Sequence, residues 1–158
     1  MFSASLRYNL DPFGEYDDLT IWSVLESVQL KEAVRNLPGE LDFLVSEGGE
    51  NFSTGQRQLI NLARVLLRKP KVLVLDEATA SIDNETDQLI GTMMQTKFQN
   101  CTVLTIAHRL HTIIGSDRIM TLSAGTLAEL APPTQLLENS EGLFAQLWAQ
   151  HLLSHKAE

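Results

Sequence analysis

The chain has 158 residues, of which 44% are hydrophobic, so one domain with a sizeable core is the expected organisation. Its formal net charge of −8 argues against sequence-independent binding of nucleic acid, which depends on Lys and Arg neutralising phosphates. The single cysteine, Cys101, excludes a disulfide framework and suits a reducing compartment, and no apolar run reaches the ~18–20 residues of a membrane helix.

The first forty residues predict packing helices without chemistry. Residues 2–11 are mixed in polarity and are expected to begin as an extended piece, and residues 11–14 (DPFG) are typical of a turn. Asp17 and Asp18 precede apolar residues at helical spacing over positions 21–37, which predict one or two amphipathic helices that end at residues 38–39 (PG).

A helix with an unusual first turn is predicted from Ser53 to Arg68, and Pro70 stops it. Ser53 and Gln56 have the spacing of a capping box. Gly55 lowers the stability of the first turn, and close approach of another group to the backbone is one reason for a glycine there. Because this turn has bare N–H groups and no acidic side chain, it is a candidate anion site.

An apolar run, residues 72–75, leads directly into two carboxylates, Asp76 and Glu77. Such a short run predicts a strand buried on both faces, as in a parallel sheet covered by helices. Acids at its carboxyl end would lie where α/β sheets bind ligands. A solvated surface turn also places acids after a strand, so this stretch alone leaves both interpretations open.

The residues that follow relate these acids to a distant histidine. Asp83 can cap a helix over residues 84–98, and residues 101–107 predict a strand that ends at His108. A strand, a helix and a strand within about 30 residues form a βαβ unit with parallel strands and a right-handed connection. We therefore expect Glu77 and His108 to emerge at the same carboxyl edge of the sheet.

The remaining residues predict small packing elements. Residues 118–131 read as a hairpin that turns at residues 124–125 (AG). Two short helices are expected near residues 134–138 and 142–153, and the tail after them should be frayed.

Four short motifs occur in a fixed order along the chain. They are FSTGQRQL (52–59), KVLVLDEA (71–78), SID (81–83) and IAHRL (106–110). They resemble, respectively, the signature motif, Walker B, the D-loop and the switch-histidine segment of the second nucleotide-binding domain of an ABC transporter of the multidrug-resistance-associated type (subfamily C). The opening segment, residues 2–13, also resembles the stretch that follows the Q-loop in this subfamily.

The resemblance covers residues 2 to about 153 and implies an α/β fold. It would be a P-loop-NTPase-like partial parallel sheet with flanking helices, preceded by the helical signature subdomain. On this view the chain is a single partial ABC ATPase domain, divided into a helical subdomain (2–68), a catalytic sheet (69–131) and carboxyl-terminal helices (132–158). The sequence has no Gly-Lys pair, so the Walker A half is absent and is expected elsewhere, as are the Q-loop and the membrane helices.

The resemblance also implies one metal-binding residue and two catalytic residues. Asp76 would hold Mg²⁺ through water, because hard cations prefer oxygen ligands. Glu77 would orient or deprotonate the attacking water, and His108 would contact the γ-phosphate in the transition state.

The signature-like residues would act on a second nucleotide site. Ser53, Thr54, Gly55 and Gln56 would face the γ-phosphate of an ATP held by the opposing domain, and Asp83 would couple the two sites. Thr54 departs from the usual signature, in which a glycine is found, and Phe52 departs from the usual leucine. Taken singly, Ser53 and Asp83 could be only helix caps, and His108 only a core histidine.

The function that follows is a part of the ATP-hydrolysing cassette of an ABC exporter, with ATP and Mg²⁺ as cofactors. Its partners would be the opposing nucleotide-binding domain, the missing Walker A half and transmembrane domains, at the cytoplasmic face of a membrane, with no nucleic acid. The isolated chain is expected neither to bind nor to hydrolyse ATP, and to be prone to aggregation because sheet and helix faces would meet water.

Two alternatives belong to other classes of protein. One is a non-enzymatic fragment that associates with another ABC domain or inhibits it. The other is the ABC-type head of a chromosome-maintenance or repair ATPase, which should show heptads before the signature; residues 10–37 are too short and too interrupted for that.

Overall fold

The computed structural model describes residues 1–76, 84–106 and 110–154, which form two compact units, Met1–Leu104 and Thr105–Glu158. The helices are α1 (Leu6–Leu10), α2 (Asp18–Ser27), α3 (Lys31–Arg35), α4 (Thr54–Arg68), α5 (Asn84–Lys97), α6 (Leu110–Ile113), α7 (Pro133–Glu138) and α8 (Leu143–Ser154). The strands are β1 (Val72–Asp76), β2 (Thr102–Ile106), β3 (Ile119–Ser123) and β4 (Thr126–Ala131). None of the described helices is long and apolar enough to span a membrane.

The first unit begins with helix rather than with extended chain. The predicted extended start holds only as far as Ser5, whose hydroxyl caps α1 by accepting from the Tyr8 amide at 3.1 Å. Leu6 and Leu10, one helical turn apart, are 0% and 2% exposed, so burial of a single face stabilises this short helix. The two amphipathic helices expected next are confirmed as α2 and α3.

Helix α4 is the central element of the first unit and matches its prediction closely. It begins after Ser53 and ends at Arg68, with Lys69 in a left-handed conformation before Pro70. Its predicted apolar face is buried, with Leu59, Leu62 and Ala63 each less than a tenth exposed. The helix packs against α1, α2 and α5, so the sheet and the amino-terminal helices share one core.

Strands β1 and β2 confirm the predicted parallel βαβ unit. The Thr102 amide donates to the Lys71 carbonyl at 2.9 Å, which joins the amino ends of the two strands and makes them parallel. The carboxyl ends of both strands consequently lie at one edge of the sheet. The connection between them is α5, as expected.

The expectation that β1 is buried on both faces is wrong for this chain. Leu73 is 7% exposed and lies in the core with residues of α4 and α5, whereas Val72 and Val74 are 56% and 59% exposed. Successive side chains of a strand point to opposite faces, and none of the described residues covers the Val72 face. The side chains of residues 72–75 are nevertheless apolar on both faces of the strand. This composition indicates that β1 is suited to packing against a second layer of polypeptide on its exposed face.

The second unit is a hairpin packed on two helices, and the predicted hairpin and helices are confirmed. The tail that was predicted to be frayed lies, at residues 155–158, outside the described residues. Strands β3 and β4 pair antiparallel from Ile119↔Ala131 to Ser123↔Thr126, and Ala124 and Gly125 both have positive φ, as a two-residue hairpin turn requires. Helices α7 and α8 begin within one residue of the expected positions. The predicted division at residues 68/69 and 131/132 stays a prediction.

Candidate functional site

The first turn of α4 has the predicted reciprocal cap. The Ser53 hydroxyl accepts from the Gln56 amide at 3.1 Å, and the Gln56 side-chain carbonyl accepts from the Ser53 amide at 2.9 Å. Each residue thereby provides a hydrogen-bond acceptor for the backbone amide of the other, and neither side chain is charged. Ser53 itself has extended backbone angles, so it stands outside the helix and faces solvent.

The amide groups between these two residues remain open. Within the described part of the chain, the N–H groups of Thr54 and Gly55 donate to no acceptor, and the first turn holds no acidic residue. A positive charge lies beside the turn, because the Arg57 guanidinium donates to the Thr54 hydroxyl at 3.2 Å. Bare N–H groups, the positive end of the helix dipole and a guanidinium together make this turn attractive to an anion.

The position of that turn is fixed by residues whose role the sequence did not reveal. Phe52 is 8% exposed and meets the Phe43 ring edge-on at 5.9 Å, so the aromatic residue in the usual leucine position anchors the start of α4 in the core. Gly49 has φ +77, and a Cβ there would lie 2.7 Å from the Met1 sulfur and 3.1 Å from Cδ of Arg57. The paired glycines at 48–49 were the available signal for this close approach.

Asp76 ends β1 and is exposed at the carboxyl edge of the sheet. It lines a cavity of about 220 Å³ whose other walls include Gln58 and Asn61 of α4. The structure therefore brings one predicted site residue close to the second turn of the helix that carries the others. Gln58 and Asn61 were not singled out in the sequence, where they look like ordinary polar helix positions.

The other predicted residues cannot be placed in the same way. Glu77, Asp83 and His108 lie outside the described residues, so their roles stay predictions. Among the residues that are described, no group of three or more His, Cys, Asp or Glu side chains could hold a metal ion. A single exposed carboxylate such as Asp76 nevertheless fits Mg²⁺, which is commonly held by one or two carboxylates together with substrate phosphates and water.

The fold is that of an α/β protein with a P-loop-NTPase-like partial parallel sheet, and the first turn of α4 carries no acidic residue. A family model described as "ABC transporter" matches residues 5–80, which include the whole of α4 and the Asp76–Glu77 pair. The chain belongs to the ABC transporter family.

Several of the curated relatives that it matches carry subfamily C names. The chain is 55% identical over 147 residues to ABC transporter C family member 12 of Dictyostelium discoideum, and 52% identical over 150 residues to ATP-binding cassette sub-family C member 4 of Homo sapiens. These matches cover 93% and 95% of this chain but 11% of each relative, so the chain spans about a tenth of their length.

A solved structure extends the likeness to three dimensions. The structure described as a bacterial Atm1-family ABC exporter with ATP bound superimposes with a TM-score of 0.85 at 32% identity. The alignment covers 95% of this chain and 26% of that one. The resemblance inferred from four motifs is thus confirmed at the level of sequence family and fold.

Proposed function

We propose that this chain supplies the signature and Walker B portion of an ATP-hydrolysing cassette of an ABC exporter, in which hydrolysis is coupled to transmembrane transport. The observation that carries the proposal is the open amino terminus of α4, where the amides of Thr54 and Gly55 have no acceptor among the described residues. Further support is the family match and the fold shared with an exporter whose structure holds ATP.

The α4 tip, which is the cap and first turn of α4 (residues 53–57), would contact an ATP held by an opposing nucleotide-binding domain. Its amides, the Ser53 hydroxyl and the Arg57 charge would contact the γ-phosphate, and a glycine at position 55 lets the phosphate approach the backbone. The neutral Ser53–Gln56 cap is suited to this role, because a carboxylate in its place would repel the phosphate.

The sheet edge would serve the ATP bound by this domain itself. Asp76 would hold Mg²⁺ through water, and the metal, when bound, neutralises charge on the β- and γ-phosphates. Glu77 would orient the attacking water and accept its proton, while His108 would donate to the γ-phosphate as charge develops. Asp83 would link this site to the opposing one across the interface.

The catalytic unit requires more than these 158 residues. They contain no G-x-x-x-x-G-K-[ST] loop, and that loop provides the lysine and backbone amides that cradle the β- and γ-phosphates. We propose that the chain alone neither binds nor hydrolyses ATP, and that it acts with a Walker A segment, an opposing nucleotide-binding domain and transmembrane domains at the cytoplasmic face of a membrane. The half-exposed Val72, Val74 and Leu104 are consistent with another layer of polypeptide on the sheet.

The decisive test is hydrolysis by an assembled transporter that carries this segment. Glu77→Gln should lower the ATPase rate at least ~100-fold, because general-base catalysis is lost. ATP should still bind, because the substitution adds no negative charge near the phosphates. Glu138→Gln, which neutralises an exposed acid of α7, is the matched control and should leave the rate unchanged. A Glu77→Gln transporter with normal turnover would refute the assignment.

A non-enzymatic role is the second candidate. The same α4 tip could engage an ATP held by another ABC domain without any hydrolysis by this chain, since the tip is complete within the described residues. The 158-residue chain would then co-purify with an ATP-loaded ABC domain, unaffected by Glu77→Gln and lost on Ser53→Glu. Failure of the wild-type chain to bind such a domain would exclude this role.

A further inference from the structure

A second cavity, separate from the α4 tip, lies at the opposite end of the same helix. It is a cleft of about 350 Å³, open to solvent on one side, and is lined by α2, by the end of α4 and by the segment that joins α5 to β2. Its apolar surface includes Val24, Leu66 and Phe98, and Phe98 is 6% exposed. A cavity of this size and apolar character is typical of small-molecule sites.

Two lysines from different elements line this cavity. Lys69 follows the last residue of α4, and Lys97 is the last residue of α5. Within the described part of the chain, neither ammonium group forms an ion pair. Lysines at helix carboxyl ends are stabilised by the negative end of the helix dipole. This stabilisation does not depend on whether the two lysines line the same cavity.

The two stretches of sequence that carry these lysines lack acidic residues in an otherwise acidic chain. Residues 51–75 and 88–116 contain no Asp or Glu, although the chain has 20 acidic residues in all. The acid next to the cavity lining, Glu26, is paired with Lys31 at 3.0 Å. An anion in the cavity would therefore meet unneutralised positive charge.

The backbone at Lys69 adds an independent observation. The residue has φ +46 and ψ +57, the left-handed conformation that helices usually assign to glycine at this position. A lysine there is conformationally unfavourable, and such outliers are found where a side chain has a task. The conformation directs the chain at the end of α4 so that Lys69 and Pro70 both line the cavity.

We propose that this cavity binds a small organic anion with an apolar body, such as an aryl sulfonate or carboxylate. The body would pack on Phe98, Val24 and Leu66, and the anionic group would lie at the lysines. An arginine in their place would favour a planar anion that it can bind through two hydrogen bonds. Lysines act as point charges and can bind either a sulfonate or a carboxylate. The ligand would contact α2, α4 and the α5–β2 segment together.

Cys101 provides a reporter that reads this cavity alone. It lines the cavity and is the single cysteine of the chain, so its alkylation by iodoacetamide, followed by intact mass, reports occupancy there. The probe is naphthalene-1-sulfonate, and its neutral counterpart of the same shape is naphthalene-1-sulfonamide. A ligand of ~14 heavy atoms and ordinary efficiency has a Kd of about 1 mM, so ~3 mM sulfonate should slow alkylation about fourfold.

The charge requirement is tested by variants and by the ligand pair. Lys69→Gln combined with Lys97→Gln should abolish protection by the sulfonate, while Lys71→Gln, an exposed neighbour outside the lining, should retain it. If the double variant does not fold, wild-type chain in high salt replaces it, since salt should weaken protection by the sulfonate and not by the sulfonamide. Equal protection by both ligands, or none by the sulfonate, would overturn the proposal.

Discussion

The amino termini of α4 and α8 both have first-turn amides that need hydrogen-bond acceptors, and the two helices are capped in different ways. At α8 a carboxylate of the protein fills the terminus: Glu129 accepts from the Leu143 amide at 3.1 Å and from the Phe144 amide at 2.9 Å. At α4 the cap is the neutral pair Ser53 and Gln56, and the amides between them have no acceptor among the described residues.

The difference separates a structural helix end from one that is available to a ligand. Every helix leaves its first amides unsatisfied, and an internal anion is one favourable way to satisfy them. The α8 terminus is half-buried and takes that solution. At the α4 terminus Ser53 and Thr54 are exposed, Gly55 is buried, and Phe52 packs on Phe43 beneath the turn. The absence of an internal anion at this turn suits a phosphate-binding role.

The largest expected effect comes from making α4 resemble α8. Thr54→Asp places a carboxylate in the first turn of α4, where it favours the helix but competes with an incoming phosphate. In an assembled transporter carrying this segment, ATP hydrolysis should fall at least ~100-fold, the scale of losing one anion-stabilising group. The thermal midpoint of the chain should stay within experimental error or rise.

Thr54→Asn is the matched control, because it has nearly the same shape and no charge. It should retain most of the hydrolysis that Thr54→Asp loses. Equal loss in both variants would mean that shape, and not an open positive terminus, determines the role of this turn.

The second effect comes from emptying the α8 terminus. Glu129→Ala removes both carboxylate hydrogen bonds and leaves the two amides half-buried, which should destabilise the chain by about 2 kcal/mol. The shift in urea midpoint measures it, with Glu138→Ala as an exposed control on α7. An unchanged midpoint for Glu129→Ala would show that water replaces the carboxylate without loss.

These two helix ends also show which contacts could be predicted from the sequence and which could not. The start and end of α4 were predictable because each signal is local: Ser53 and Gln56 are three residues apart, and Pro70 directly follows the last turn. The Glu129 cap joins residues 14 and 15 apart, and it depends on the pairing of β3 with β4. No periodicity in the sequence indicates such a contact.

Burial was harder to predict than the elements themselves. The apolar run at 72–75 correctly predicted a strand in a parallel sheet, but its burial depends on which layers are present. Leu73 is covered by helices of this chain, whereas Val72 is more than half exposed. At the site, the sequence predicted the Ser53–Gln56 cap and the edge position of Asp76, and it missed Gln58 and Asn61 because their relevance comes only from the cavity they share with Asp76.

A smaller effect comes from weakening the neutral cap of α4. Ser53→Ala removes the acceptor of the Gln56 amide and should cost about 1 kcal/mol of stability, while Ser53→Gly should cost a few tenths. Hydrogen exchange of the Gln56 amide and the urea midpoint report the two changes. If Ser53→Ala lowers ATP hydrolysis in an assembled transporter much more than Ser53→Gly, local stability of the tip matters for function; equal losses would assign the effect to the missing hydroxyl.

The smallest effect concerns α2. Its cap is charged, like that of α8, but exposed, like that of α4. Asp17 accepts from the Thr20 amide at 2.8 Å, and hydrogen bonds from the Thr20 side chain and then its backbone hold the pKa of Asp17 below its usual 3.8. Because the folded pKa is the lower one, the cap contributes stability above pH 3.8, and this contribution is lost as the pH falls through the folded pKa. Asp17→Asn keeps a capping side chain that does not titrate, so its urea midpoint should approach that of the wild type on acidification. A constant difference between the two midpoints from neutral pH down to about pH 2 would show that the charge of Asp17, unlike that of Glu129, adds nothing to its helix.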